Sequence, residues 1–379
     1  MGGIFVTKRI QALRKLGVEV MPYIYYMEYS KAAQRYLEKV SHMETQSAPI
    51  DRQEDIRYKL RGVRQGFLEL AAASLRPKWN GIRFARQLKR DMDAEGGADL
   101  IHLHWFWPLG AGVYRYCRKY KVPYVITCHG SDINVNMAEP KLRESIKKIL
   151  EGAAAVEFVS QALLDRAKEL GYSGKNAEIV YNGIEGSIFN ENAGEKTSMP
   201  LVGFVGNLIP VKGADRIPKI FENIYEKMGH QVTFSVTGDG ALREKLQQEM
   251  KELPVVFTGQ LGQKALAEQY SRMSVLVAPS RREGYSCVIK EAQACGVIPV
   301  GIHTGGIPEA VAGYGSTIEE QKTEEALAEK LADAAVQYLK QEKKINLQEM
   351  IEKASMQTWE ETQKKSLWIY QKLLEKQEQ

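Results

Sequence analysis

At 379 residues the chain is too long for one ordinary core and suits two domains of about 150–200 residues each. Hydrophobic residues make up 44% and charged residues 26%, a balance that excludes disordered and fibrous classes. A net charge of +5 permits anionic partners without demanding nucleic acid, and no run approaches the ~18–20 apolar residues of a spanning helix.

The first residues, Met1-Gly2-Gly3-Ile4-Phe5-Val6, lack the apolar stretch and small-residue cleavage site of a signal peptide, so a cytosolic protein is expected. Cys117, Cys128, Cys287 and Cys295 show no zinc spacing and read as reduced core thiols. Ile4–Leu16 reads as a helix with Ile10, Leu13 and Leu16 on one side, ended by Gly17. A parallel α/β domain needs a strand before that helix. The expectation is therefore a start upstream of Met1, or a strand position left empty or filled by another segment.

Short apolar strands then alternate with amphipathic helices, the pattern of parallel α/β sheets. In the first half the strands read as Val18–Tyr26, Leu100–His104, Tyr124–Cys128, Ala155–Val159 and Glu178–Tyr181. In the second they read as Leu201–Val205, Val232–Thr237, Val255–Thr258, Ser274–Ala278 and Ile298–Gly301. The polar stretch Asn190–Pro200 is the expected hinge between domains 1–189 and 201–354. Residues 355–379 read as a C-terminal helix that crosses back to the first domain, with Trp359, Leu367, Tyr370 and Leu374 as buried positions.

The chemistry concentrates in Val277–Val311, VAPSRREGYSCVIKEAQACGVIPVGIHTGGIPEAV. A strand runs into a polar turn, Gly284 and a helix. Gly296 stops that helix, and after a second strand Gly305-Gly306 precedes Pro308-Glu309 at another helix start. Helix N-termini after strand C-termini are where open parallel sheets bind ligands, and their backbone N–H groups can hold phosphate. Glu283 and Glu291 have seven residues between them, about 12 Å along a helix. One carboxylate could then reach the sugar of a nucleotide sugar and the other its ribose.

This block resembles the donor-site signature of glycosyltransferase family 4. The resemblance implies two Rossmann-like parallel-sheet domains facing a cleft, the GT-B fold, with a nucleoside-diphosphate sugar in the C-terminal domain. It implies that Glu283 holds the donor sugar and Glu291 the ribose, while the amides of Gly284, Tyr285 and Ser286 meet the diphosphate. The run Gly206-Asn207-Leu208-Ile209-Pro210-Val211-Lys212-Gly213 is similar to the family's leaving-group turn. Lys212 matches its Lys, but Asn207 stands where Arg is usual. One cation is missing unless Arg281, Arg282 or helix dipoles compensate. Gly238, in Thr237-Gly238-Asp239-Gly240, resembles the family's third glycine turn, and Leu261 its base-contacting loop.

In the first half, His129 in Cys128-His129-Gly130-Ser131-Asp132 resembles the family's His-Gly, whose imidazole meets the donor sugar across the cleft. Asp132, Asn182 and His104 fall in its cleft-facing loops, and Gly2 and Gly3 resemble the glycine turn after its first strand. Of His102 and His104 on one strand, only one is expected to face the cleft, and His104 is the one at the end.

Asp91-Met92-Asp93 looks like a metal-binding Asp-x-Asp but sits in a charged helix end, so neither metal nor cofactor is expected. Residues 57–90 carry ten Lys or Arg against Glu69 alone. They read as the face of two helices, solvated or laid on an anionic membrane surface on the cytoplasmic side. The function implied is retaining, metal-independent transfer to a glycan, lipid-linked or small-molecule acceptor in cell-surface polysaccharide synthesis. The alternative is a non-catalytic nucleotide-sugar-binding or scaffold subunit. A dinucleotide oxidoreductase is disfavoured because no Gly-x-Gly-x-x-Gly opens either half.

Overall fold

Gly17, at φ 86°, stops the first helix in the left-handed conformation that glycine adopts without strain. That helix, α1 (Ile4–Lys15), opens the computed structural model, which describes residues 4–29, 52–53, 56–65 and 76–378. The expected glycine turn at Gly2-Gly3 lies outside the described residues.

The chain divides into two units. The first holds residues 1–159, 163–180 and 362–379, and the second 160–162 and 181–361. The crossing is therefore at Val180–Tyr181, not at the expected hinge 190–200. The reason is packing: Phe189 is buried with its ring on Tyr270, and Lys196 donates to the carbonyls of Met273 and Gly296. These contacts tie 189–196 to the second unit.

In chain order the first unit carries β1 (Tyr23–Tyr29), a small hairpin of β2 (Arg52–Gln53) and β3 (Ile56–Arg57), β4 (Lys59–Gln65) and α2 (Arg76–Ala94). Then come β5 (Ile101–His104), α3 (Gly110–Tyr120), β6 (Tyr124–Cys128), α4 (Pro140–Glu151), β7 (Ala155–Phe158), α5 (Gln161–Glu169, in this unit from Leu163 onward) and β8 (Ala177–Ile179). Strands β5-β6-β7-β8 form one parallel sheet, and β1 pairs with β4 in a separate parallel ladder. Among the described residues no strand joins β1 to β5. Helix α1 packs on both pieces: Ile10 and Val6 lie with Ile24 and Leu60, and Leu13 with Val125 and Ala155.

The basic stretch departs from expectation. Its first part, β4, is a strand rather than a helix, and Lys59, Arg61 and Lys89 are ion-paired with Glu95, Asp91 and Asp93. Asp91 also accepts from Tyr25 Oη at 3.0 Å, which makes it a packing carboxylate of α2.

The second unit carries β9 (Leu201–Val205), α6 (Ile217–Lys227), β10 (Thr233–Thr237), α7 (Arg243–Glu249), β11 (Val255–Gly259) and α8 (Gln263–Arg272). It continues with β12 (Val275–Ala278), α9 (Cys287–Ala294), β13 (Ile298–Ile302), α10 (Ile307–Val311), β14 (Ser316–Ile318), α11 (Glu324–Leu339) and α12 (Leu347–Ser355). The last helix, α13 (Trp359–Glu378), places its residues from Thr362 onward in the first unit. The six strands are all parallel in the order β11-β10-β9-β12-β13-β14. Runs such as LVGFV and VLVA are almost wholly apolar because helices cover both faces of such a sheet. Phe204, Phe221, Phe234, Val236 and Leu331 centre the core.

The strand order reverses between β9 and β12. From β9 the chain moves outward through β10 to β11, then returns to the other side of β9. Loops leaving β9 and β12 therefore diverge and open a crevice at their C-terminal ends, the usual ligand position in a doubly wound sheet.

Candidate active site

The loop after β9 runs from Gly206 to Gly213 and ends in a 3-10 turn, Pro210–Lys212. Gly213, at φ 69°, lies so close to the loop after β12 that a Cβ would stand 2.0 Å from the Pro279 oxygen. This contact, which only glycine tolerates, brings Lys212 over the opposite loop. Its Nζ lies 2.5 Å from Glu283 Oε2. The pair is only partly buried, with 33% of the Lys212 and 14% of the Glu283 side chain exposed.

Behind Glu283 lies the Gly305-Gly306 turn. The Gly306 amide donates to the Glu283 carbonyl at 3.2 Å, and a Cβ on Gly305 would lie 2.0 Å from that same oxygen. The two glycines thus form a backing plate for Glu283-Gly284. Gly284, Tyr285 and Ser286 lead into α9, with Ser286 extended at its N-cap position. The Tyr285 hydroxyl accepts from Gln357 Nε2 at 2.7 Å and its ring packs on Tyr181, which fixes the entry of the helix.

Glu291 follows on α9. Its Oε2 accepts from the Tyr270 hydroxyl at 3.4 Å. Desolvation raises the Glu291 carboxyl to about 8, and the Tyr270 bond offsets this only in part. A carboxyl held this way has acceptor capacity to spare.

The remaining donor-side residues line the same sheet end. Gly206 donates to the Thr237 carbonyl, and a Cβ on Gly238 would meet the Gly206 oxygen at 2.0 Å. Asn207 is exposed at the tip, and Leu261 is half-buried after β11. Arg281 is engaged with carboxylates of other elements. Its guanidinium holds Asp215 at 2.7 and 2.8 Å and Glu324 at 3.1 Å. Asn182 is 4% exposed, and its carbonyl accepts from Gln357 Nε2 at 2.8 Å.

In the first unit, His102 and His104 both face one way. Residues two apart on a strand share a face, and the rings stack at 4.5 Å. The expectation that only one could face the site fails on that periodicity. His104 Nδ1 lies 2.9 Å from His129 Nε2, and Trp105, at φ 46°, stacks on His129 at 4.7 Å. Burial pushes both imidazoles well below their ordinary value, so they are neutral at pH 7. Asp132 is 1% exposed and accepts from the His129 amide at 3.0 Å. It holds the loop that carries His129.

Beneath them lies a polar network the sequence did not reveal. Arg9, 1% exposed, donates to Glu157 Oε2 at 2.7 Å, Thr127 Oγ1 at 3.1 Å and the Val180 carbonyl at 3.1 Å. The Thr127 hydroxyl donates to Glu157, so it accepts from His102 Nε2 at 2.7 Å. His102 Nδ1 then accepts from the Tyr370 hydroxyl on α13. Burial lowers His102 to about 4, which keeps this tautomer neutral.

Two family models match in tandem, "Glycosyltransferase Family 4" over residues 3–186 and "Glycosyl transferases group 1" over 187–355. The chain belongs to the family 4 type of glycosyltransferases. It is 26% identical over 344 residues to TuaC of Bacillus subtilis, which carries the name of a teichuronic acid biosynthesis glycosyltransferase. That match covers 86% of this chain and 83% of TuaC. Among solved structures, Alr3699/HepE of Anabaena in complex with UDP-glucose is similar at TM-score 0.60 and 17% identity, covering 84% and 85% of the two chains. The trehalose-6-phosphate protein of E. coli bound with UDP-2-fluoro glucose is similar at TM-score 0.64 and 14% identity, covering 96% and 95%. The two parallel-sheet units are thus those of a GT-B glycosyltransferase. Among the described residues this glycosyltransferase has no group of three His, Cys, Asp or Glu placed to hold a metal, and no helix long and apolar enough to cross a membrane.

Proposed function

We propose that this glycosyltransferase moves a sugar from a nucleoside-diphosphate sugar, with retention and without a metal ion. The observation that carries this reading is the Lys212–Glu283 pair at the β9/β12 reversal, beside the N-terminus of α9. A cation and a sugar-binding carboxylate there suit departure of a diphosphate from an anomeric carbon. Lys212 and the Gly284, Tyr285 and Ser286 amides stabilise the developing charge. Glu283 and His129 orient the sugar, and Glu291 takes the ribose hydroxyls. Gly206, Asn207, Gly238 and Leu261 border the nucleotide, and His104 serves the acceptor side.

The acceptor on this reading is a glycan or lipid-linked sugar of cell-surface polysaccharide, in keeping with the name TuaC carries. Residues 57–90 are the anionic-surface site of the same reading. Lys59, Arg61 and Lys89 are already ion-paired, so binding should be weak and lost at moderate salt.

A thermal-shift screen of UDP-, GDP-, ADP- and dTDP-sugars tests the donor, since a ligand at 100 times its Kd adds about 2.7 kcal/mol. NMR of the first-formed product reads the anomeric outcome. Donor binding with neither transfer nor hydrolysis would instead favour a non-catalytic binding subunit.

A further inference from the structure

A cation that meets a departing diphosphate works only at the right height. Lys212 rides on a turn of three residues that has no side-chain cap. Something outside the turn must hold it. Three contacts do, and two come from Arg281. Its backbone N–H donates to the Val211 carbonyl at 3.0 Å, and its Nη1 to the Pro210 carbonyl at 2.7 Å. The third is the Gly213–Pro279 approach.

The guanidinium is in turn fixed. It grips Asp215 with both Nη groups and shares Glu324 Oε1 with Arg216. Arg216 is 5% exposed at its side chain and also binds Glu320 and the Pro279 carbonyl. Two cations and three carboxylates therefore lace the Lys212 turn to the loop after β12 and to the first turn of α11. A planar fork matched to a carboxylate adds geometric precision that a point charge lacks.

We propose that Arg281 is a positioning residue: it touches no phosphate but holds Lys212 where the diphosphate will lie. This rests on the donor-site reading above. It assigns Arg281 to a brace for Lys212 rather than to the charge that Asn207 does not supply.

The test compares diphosphate with monophosphate affinity by calorimetry, using UDP against UMP and GDP against GMP. Wild type should bind one diphosphate more tightly than its monophosphate. Lys212→Ala should narrow that gap by roughly tenfold or more, the weight of one charge-assisted hydrogen bond. Arg281→Ala should narrow it similarly with monophosphate affinity unchanged, and the double variant should lose no more than Lys212→Ala alone. Asp215→Asn, which removes the bidentate carboxylate anchor of the guanidinium, should also narrow the gap. An additive double variant, an unaffected gap in Arg281→Ala, or a gap widened by Asp215→Asn would each overturn the brace. If Lys212→Ala itself leaves the gap intact, the donor-site reading fails and the brace with it.

Discussion

Lys212 Nζ stands 2.5 Å from Glu283 Oε2, although the two residues lie on loops from different strands, 71 positions apart. Each neutralises the other before any donor arrives. On binding, Lys212 must turn toward the diphosphate while Glu283 turns toward the sugar. The two roles differ from that of Glu291. A ribose contact is the same in ground and transition states, whereas the charge facing Lys212 grows as the diphosphate leaves. Lys212→Ala should therefore lower kcat by about 10²–10³-fold, as loss of one electrostatic stabiliser commonly does. Glu291→Ala should mainly raise KM. Steady-state kinetics on the two variants check the division, and equal effects on both parameters would contradict it.

The Glu291 carboxyl makes donor binding pH-dependent. Burial raises it from 4.5 to about 8, so between these values the folded protein keeps a proton that the unfolded chain releases. Stability from this group is full below about pH 4.5 and is lost as pH rises to 8. Donor binding runs the other way, because ribose hydroxyls need an accepting carboxylate. Donor affinity should rise by up to about tenfold per pH unit between pH 6 and 8. Glu291→Gln should flatten that slope, as measured by calorimetry across the range.

Chelators should leave turnover intact. The two site carboxylates are poorly suited to a divalent ion: Glu283 is tied to Lys212 and Glu291 holds its proton. Mg²⁺ takes ionised oxygen ligands in near-octahedral array. Activity assayed in EDTA and again with added Mg²⁺ or Mn²⁺ settles this, and restoration by the ion would refute the metal-free mechanism.

The second unit was the more legible half. Its strands are continuous apolar runs that meet glycine turns, and the Glu283–Glu291 block sits where the sheet reverses. The first unit hid more. Strand β4 reads KLRGVRQ, in which Arg61 pairs with Asp91 on α2 and Lys59 with Glu95 just beyond it, so that it mimics a solvated helix face. Arg9 looks like any surface helix arginine, because its partners Thr127 and Glu157 lie 118 and 148 positions away. Arg281 was legible as a cation near the diphosphate but not as a brace, since Asp215 and Glu324 belong to other elements.

Gly305 should not tolerate a side chain. Its φ of 51° is left-handed, and a Cβ would collide with the Glu283 carbonyl at 2.0 Å. Relief requires moving the backbone that carries Glu283. Gly305→Ala should cost about 1–3 kcal/mol in stability and should lower kcat by more than it raises KM. Thermal melting with kinetics checks this, and a stable variant of normal activity would show that the plate behind Glu283 is not needed.

Arg9 is the sharpest stability prediction. It and Glu157 are a fully buried ion pair, at 1% and 0% side-chain exposure. Removing one partner of such a pair typically costs about 3–5 kcal/mol, because the other charge is stranded. Arg9→Met should therefore destabilise the first unit by an amount of that order. The loss should depend on pH. Without the guanidinium, desolvation favours the protonated Glu157 carboxyl and raises it above its unfolded value. The variant then gains relative stability as pH falls toward 5 and loses it as pH rises to 8. Adding Glu157→Gln removes the stranded charge and keeps an acceptor for Thr127. That double variant should recover most of the loss and all of the pH dependence. Melting temperatures at pH 5 and pH 8 for the three proteins decide the matter, and a pH-independent loss in Arg9→Met would show that lost packing, not the stranded carboxylate, sets the cost.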